Sequence, residues 1–392
     1  MVTMTTAQSA LKDIYLDVVS NQLNTKTNVL FNQFKQTTAD VYGRDVQKLV
    51  PYGVNGGVGA GDEGGALPSS EGNSYLNFTS SLKNLFGTIE ISDKAIRASA
   101  DDAGAFVNLL TAEMEGLLGA SKFNLGRMLY GDGTGCLTAL TSASVEDGTI
   151  TPTSLINLVE GMMVDFYDDD TVVTGFTGAR ITGIDRSAGT ITINKIITEA
   201  FETGASDYAI YVQGSKGQEL TGLEAIFATS GSIYGLSKTT YPWLVSFIET
   251  QGSGETFNED FIQKTMDEVE VRTGNKMNFI VTTNALKRTF ASTLSAMNKH
   301  VDIANLAGGY KALSFNGIPL YGDKFVPTGA LYMLNTNDFA IHQLCDWEWL
   351  TNEDGSILKQ KQGYASYLAT LVKYAELVCS RPGAQGKMAN LS

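Results

Sequence analysis

Apolar residues recur at near-helical spacing from Ala10 to Phe34, at Leu11, Ile14, Val18, Leu23, Leu30 and Phe34. Asn21, Asn24, Thr25, Thr27 and Asn28 interrupt the middle of that run, because short polar side chains compete for the backbone. The pattern predicts a broken helical arm. A short β-like run follows at Val46 to Val54, and then Gly53 to Gly72, where 8 of 20 residues are glycine and Lys and Arg do not occur. That stretch reads as a long flexible loop. Beyond it Tyr75, Leu76, Phe78, Leu82, Leu85, Phe86, Ile89 and Ile91 favour strand and are predicted to pair back on the first run as an isolated two-stranded arm.

Asp101 and Asp102 offer N-caps to a segment in which Phe106, Leu110, Met114, Leu117, Leu118, Leu125, Met128 and Leu129 keep the helical period nearly to Tyr130. Such a helix is about 40 Å long at 1.5 Å per residue. Gly104, Gly116, Gly119 and Gly126 lie within it, so packing and not propensity must hold it. Gly131-Asp132-Gly133-Thr134-Gly135 ends it sharply.

From Glu146 to Gln213 the pattern becomes short β runs: Met162 to Tyr167, Val172 to Phe176, Ala179 to Ile184, Thr190 to Ile193 and Tyr208 to Val212. This predicts a small inserted β-domain. Thr256-Phe257-Asn258-Glu259 then reads as a capping box, and Gly274 stands where a helix-ending glycine belongs. A buried strand at Met277 to Thr283 and a helix at Asn284 to Ala296 make an α/β unit. The last third is strands, with an Asn316-Gly317 turn and a long alternating run from Tyr364 to Cys379.

Charge sharpens this picture. The 392 residues carry 28 Lys+Arg and 42 Asp+Glu, a net charge of −14, which argues against general affinity for nucleic acid or anionic membrane. Eleven acidic and three basic residues fall between Glu146 and Gln213, so the β insertion alone carries −8. Charged residues are only 18% of the chain, which leaves much uncharged surface for partners to cover. Cys136, Cys345 and Cys379 are odd in number and widely spaced, so neither a disulfide framework nor a zinc site is expected. Met1 to Leu11 lacks the pattern of a signal peptide, and no run approaches a membrane span.

Catalytic chemistry is sparse. Gly59-Ala60-Gly61-Asp62-Glu63-Gly64 spells a dinucleotide fingerprint, but no helix follows to present its N-terminus, and Asp62 and Glu63 repel phosphate. Asp168-Asp169-Asp170 is the densest carboxylate cluster and reads as a solvated strand end. His300 and His342 are the only histidines, and both read as structural. Trp243, Trp347 and Trp349 read as core or interface anchors. The expectation is a chain that is not an enzyme and has no cofactor or metal.

Three stretches, taken in order, carry a family resemblance: Asn124-Leu125-Gly126-Arg127-Met128-Leu129-Tyr130-Gly131-Asp132-Gly133-Thr134-Gly135; Gly222-Leu223-Glu224-Ala225-Ile226 leading to Tyr241-Pro242-Trp243; and Phe315-Asn316-Gly317-Ile318-Pro319-Leu320 with Asp323 and Val326-Pro327. With the arm, the glycine-rich extension, the long helix, the α/β unit and the closing strand, the chain resembles the major capsid proteins of tailed bacteriophages with the Hong Kong 97 phage fold. The resemblance implies an α+β fold with residues 1–45 as N-terminal arm and 46–91 as an extended β-hairpin loop. It implies a peripheral domain with a long spine helix at 92–137 and 364–392, and an axial domain at 138–363 interrupted by the acidic β insertion at 146–213.

The function implied is self-assembly through pentamers and hexamers into an icosahedral head shell, located in the virion and assembled in the bacterial host cytoplasm. Its partners are further copies of itself, a portal, possible scaffolding or decoration proteins, and packaged double-stranded DNA enclosed without sequence-specific binding; no membrane is involved. The extended loop would carry the intersubunit contacts, at Val54, Gly57, Gly61, Glu63, Leu67, Tyr75 and Phe78. The alternatives are an encapsulin-like cellular compartment shell, which shares the minimal fold, and a soluble α/β enzyme.

Overall fold

The computed structural model describes residues 28–69, 72–98, 103–146, 149–195, 208–252, 257–296, 303–305, 311–352 and 355–391. Most of the expected arm, the caps Asp101 and Asp102, and His300 lie outside these residues.

The long strand Ser366–Cys379 is the axis of a six-stranded sheet. Along one edge it pairs antiparallel with Lys83–Ser92, from Ser366 opposite Ser92 to Ala375 opposite Lys83. Its other edge takes Phe339–Gln343, Glu348–Trp349 and Lys359–Gln360 in turn, and Lys35–Thr37 joins outermost, parallel to Phe339–Gln343. The helix Ala103–Tyr130, the expected spine, lies against the face of Lys83–Ser92 that carries Leu85, Ile89 and Ile91. Gly87 makes this approach possible, since a Cβ there would stand 2.8 Å from Cδ1 of Leu117. Gly126, further along the helix, leaves room for Phe325 and the side chain of Asn28.

The second expected strand of the arm divides at Leu82. Up to Ser81 the inward positions are even-numbered, Leu76, Phe78 and Ser80, whereas from Leu85 to Ile91 they are odd-numbered. A strand has period two, so a change of parity means a change of face. At the break the Leu82 amide donates to the Arg44 carbonyl at 2.8 Å, and the chain passes from one sheet to the next. Residues 83–92 therefore belong to the central sheet and not to the extended loop.

A seven-stranded mixed sheet runs, in order, Phe247–Thr250, Gly386–Ala389, Leu331–Leu334, Phe279–Thr282, Ile318–Gly322, Lys311–Phe315 and Ile303–Asn305. Helices Glu259–Thr273 and Asn284–Ala296 pack on it through Phe261, Ile262, Val269, Leu286, Phe290 and Leu294. The first helix is capped by Asn258, whose side chain accepts from the Phe261 amide at 2.9 Å, while Thr256 lies outside the described residues. It ends on Gly274 at φ 65°, the left-handed conformation glycine tolerates. The C-terminal strand Gly386–Ala389 enters this sheet between Phe247–Thr250 and Leu331–Leu334. Residues 364–392 thus serve two sheets, and Phe339–Gln343 with Glu348–Trp349 lies in the central sheet, so the expected 138–363 and 364–392 boundaries cut across both.

The β insertion is a closed barrel. Cys136–Glu146, Thr149–Pro152, Thr190–Ile193, Ala179–Asp185, Met163–Asp168 and Tyr208–Val212 pair in that cyclic order, every pair antiparallel, and Thr171–Val172 adds a short flap to Met163–Asp168. Closure removes the open edges a small sheet would otherwise expose. Its core, including Leu137, Leu140, Ile150, Val164, Phe166, Ile181, Ile191 and Ile210, is separate from those of the other two sheets. The barrel starts at Cys136, ten residues before the expected Glu146, because Cys136 to Val145 is rich in small and polar residues that hide a strand from hydrophobic patterning.

Candidate assembly surface

Asp45–Tyr52 and Ser74–Ser81 form a ribbon in full register, from Asp45 opposite Ser81 to Tyr52 opposite Ser74. The even-numbered face turns inward. Val46, Val50 and Phe78 are buried there, Phe78 is only 1% exposed, and its ring lies 5.3 Å from Tyr234 and 6.4 Å from Trp243. Tyr52 stacks on Trp243 with ring centroids 5.6 Å apart and planes 1° from parallel. The Thr79 amide donates to the Tyr234 carbonyl at 3.0 Å. The ribbon is thus not the isolated arm that its sequence predicts: its base is docked on its own subunit. Phe78 drops out of the expected contact set for the same reason, since a side chain used inside one subunit is not free for a neighbour.

The odd-numbered face turns outward and carries Leu49, Pro51 and Tyr75, all exposed. Beyond Tyr52 the loop is tied at its base by the Asn55 side chain, whose Nδ2 donates to Oδ1 of Asn73 at 3.2 Å and whose Oδ1 accepts from the Gly57 amide at 2.9 Å. Around and past that tie Val54 is 94% exposed, Val58 87% and Leu67 90%. Gly61 and Glu63 are also exposed and Gly57 is half-buried. Of fourteen large hydrophobic side chains exposed among the described residues, six lie between Tyr42 and Tyr75. Leu49, Val58 and Tyr42 were not among the sequence-predicted contacts, though the period-two alternation around Leu49 was a signal for it.

Ionisable side chains are buried at the joints between structural elements. Arg127 near the end of the spine helix forms a two-point pair with Glu219, Nη1 to Oε2 at 2.7 Å and Nη2 to Oε1 at 2.5 Å. Lys238 donates to the carbonyls of Ala225, Ile226 and Ala228, and burial pulls its ammonium down to about 8. Glu376 accepts from the amides of Thr221 at 2.8 Å and Leu377 at 3.0 Å, and burial pushes its carboxyl up to about 7. His342, in register with Glu376, has Nδ1 2.9 Å from the Ala39 carbonyl, and burial lowers its pKa. These groups join structural elements.

The Asp168 to Asp170 turn is met by Lys216, which donates to the Asp169 carbonyl at 2.5 Å and to Oδ1 of Asp170 at 2.8 Å over the Tyr167 ring. Trp347 and Trp349 are buried in the core of the central sheet. No helix among the described residues is long and apolar enough to cross a membrane.

No family model matches the sequence, and no curated protein matches it. Among solved structures, the capsid asymmetric unit of cyanophage A-1(L) covers 97% of this chain and 94% of its own, with a TM-score of 0.57 at 14% identity. The capsid of the native GTA particle covers 93% and 90% with a TM-score of 0.45 at 12% identity. The holo-SrpI encapsulin complex from Synechococcus elongatus covers 82% and 78% with a TM-score of 0.41 at 11% identity. The first of these, matching over nearly the whole of both chains, shows the fold. The α+β, Hong Kong 97-type architecture implied by the sequence resemblance is the fold of this chain.

Proposed function

We propose that this chain is the major capsid protein of a tailed bacteriophage, a structural subunit that assembles through pentamers and hexamers into an icosahedral head enclosing double-stranded DNA. The observation that carries the reading is the match of nearly the whole chain to one subunit fold of a phage capsid. The ribbon supports it: apolar side chains at Leu49, Val54, Val58, Leu67 and Tyr75 stand exposed, outside the cores formed by the described residues, and offer surface for a neighbour to cover. A subunit that shares many such weak contacts with its neighbours gains closure from their number.

A net charge of −14 suits a shell that must not hold its DNA by adhesion. Portal, scaffolding and decoration proteins would be its further partners, and the virion its location, after assembly in the host cytoplasm. The test is negative-stain electron microscopy of the purified chain, with its mass distribution followed by sedimentation. Closed shells of uniform diameter are expected; a monomer or small oligomer at all concentrations would refute the reading.

A further inference from the structure

Among the described residues no apolar cluster spans the barrel and the body of the subunit: the barrel core around Val164 and Ile210 is separate from the cores of the two large sheets. The chain crosses between them twice, outward at residues 131–135 and back at residues 214–222. Gly135 and Gly214 stand on the two crossings at φ 82° and 68°, backbone that glycine adopts without strain. A joint of this kind turns easily unless polar contacts hold it. Here the Gly217 amide donates to the Thr134 carbonyl at 2.7 Å and ties one crossing to the other. Arg127 of the spine helix pairs with Glu219, the Glu376 carboxyl accepts from the Thr221 amide at 2.8 Å, and Lys83 donates to the Gly217 carbonyl at 3.1 Å.

The Lys83 ammonium has a second acceptor within reach of its charge. Lys83 lies opposite Ala375 in the central sheet, and Glu376 is the next residue. Oε1 of Glu376 accepts from the amides of Thr221 and Leu377, while Oε2 is buried and has no hydrogen-bond partner among the described residues. The other titratable groups packed around it are committed elsewhere. His342, opposite on Phe339–Gln343, has Nδ1 at the Ala39 carbonyl, and burial lowers its pKa. Tyr234 donates its hydroxyl to the Leu377 carbonyl at 3.2 Å, burial pushes the Cys379 thiol up, and Lys48 of the ribbon acts on His342 and Cys379. Arg127 is closed on Glu219. Lys83 is the cation whose charge reaches Glu376. A neutral carboxyl tolerates an unpartnered oxygen at modest cost, whereas a buried carboxylate needs a donor or a counter-charge.

We propose that Glu376 and Lys83 form a proton-controlled latch on the barrel. While Glu376 is neutral, Lys83 holds the Gly217 carbonyl and the joint stays closed. When Glu376 loses its proton to solvent, Lys83 turns to the carboxylate, Gly217 is released from Lys83 and from Thr134, and the barrel swings on its glycines. Burial of the carboxyl, which pushes it up to about 7, sets the range in which the latch works. The latch does not depend on the shell reading, and its failure leaves that reading standing.

The test is hydrogen exchange on the full chain, followed at residues 214–222 at pH 6 and pH 8, with rates corrected for the pH dependence of the exchange chemistry itself. With a midpoint of about 7, the ionised share of Glu376 rises from about a tenth to about nine-tenths, so the Gly217 amide should exchange about ninefold faster at pH 8 and lose most of its protection. The amides of Thr190–Ile193 and Ser366–Cys379 should stay strongly protected at both pH values, which separates opening of the joint from global unfolding. Glu376→Gln should keep Gly217 protected at pH 6 and pH 8, and Lys83→Met should leave it weakly protected at both. A Gly217 amide that stays protected at pH 8 in the unsubstituted chain overturns the proposal whether or not the variants fold. The same loss in Glu376→Gln, or full protection in Lys83→Met at pH 8, overturns it as well.

Discussion

Arg127 and Glu219, 92 residues apart in sequence, close on each other in a two-point ion pair at 4% and 3% side-chain exposure. The pair clamps the end of the spine helix to the segment that returns from the barrel. Removing one partner strands a buried charge, so Arg127→Met should cost about 3–5 kcal/mol in urea unfolding of the subunit, and Arg127→Met with Glu219→Met should recover most of that loss. Equal instability of the single and double variants would show that the pair is not the source of the effect.

Glu376 makes stability depend on pH. Its carboxyl ordinarily titrates at 4.5 and is pushed up to about 7 in the fold by burial, with the amides of Thr221 and Leu377 and the charge of Lys83 opposing the shift. A raised carboxyl favours the folded state while protonated. Its contribution is complete below about 4.5 and is lost as pH rises through about 7. Glu376→Gln keeps an oxygen for both amides, so the gap between variant and parent unfolding midpoints should widen from pH 5 to pH 8. A constant gap would place the titration elsewhere.

Two glycines should respond oppositely to the same change. A Cβ on Gly222 would collide with the carbonyl oxygens of Met128 and Gly131, which are backbone and cannot turn aside. Gly222 has φ −85°, so close approach and not left-handed geometry demands the glycine. Gly222→Ala should cost about 3 kcal/mol. Gly116→Ala, on the spine helix with open space around it, should stabilise by up to about 1 kcal/mol. Thermal melts of the two variants give the comparison.

The barrel should fold by itself, but only with all of its strands. A fragment of residues 136–213 is expected to melt cooperatively with a β-type circular dichroism spectrum. A fragment of residues 146–213 lacks Leu137 and Leu140 and opens the ring between Thr149–Pro152 and Tyr208–Val212, so it should be unfolded. A folded short fragment would mean that closure is dispensable.

Shortening the ribbon separates folding from assembly. Replacing Asn55 to Ala66 by an Asn-Gly turn leaves the Tyr52–Trp243 stack and the buried Phe78 in place. The subunit should melt within about 2 °C of the parent and form few closed shells by electron microscopy. Normal shells from the shortened chain would show that the loop holds no neighbours together.

Local patterns in the sequence carry much of this protein. The helical period from Ala103 to Tyr130, the Asn316-Gly317 turn with both residues at positive φ, and the helix end at Gly274 are each fixed by a few adjacent residues, whereas Ser366–Cys379 is a strand as expected but has no exposed face and does not alternate. The glycine-rich loop and its uncharged tip were legible for the same reason. Tertiary structure alone decided which strands share a sheet. Closure of the barrel depends on Ala179 meeting Val164 and Tyr211 meeting Cys136, and entry of Gly386–Ala389 into the second sheet depends on partners more than 50 residues away. Non-local pairing leaves no mark in the periodicity of either strand. The same holds for Phe78: alternation shows that it has an inward face, but only the positions of Tyr234 and Trp243 decide that this face is covered by its own subunit. Nothing local in the sequence links Arg127 to Glu219, and their burial as a pair follows from the fold that brings two distant segments together.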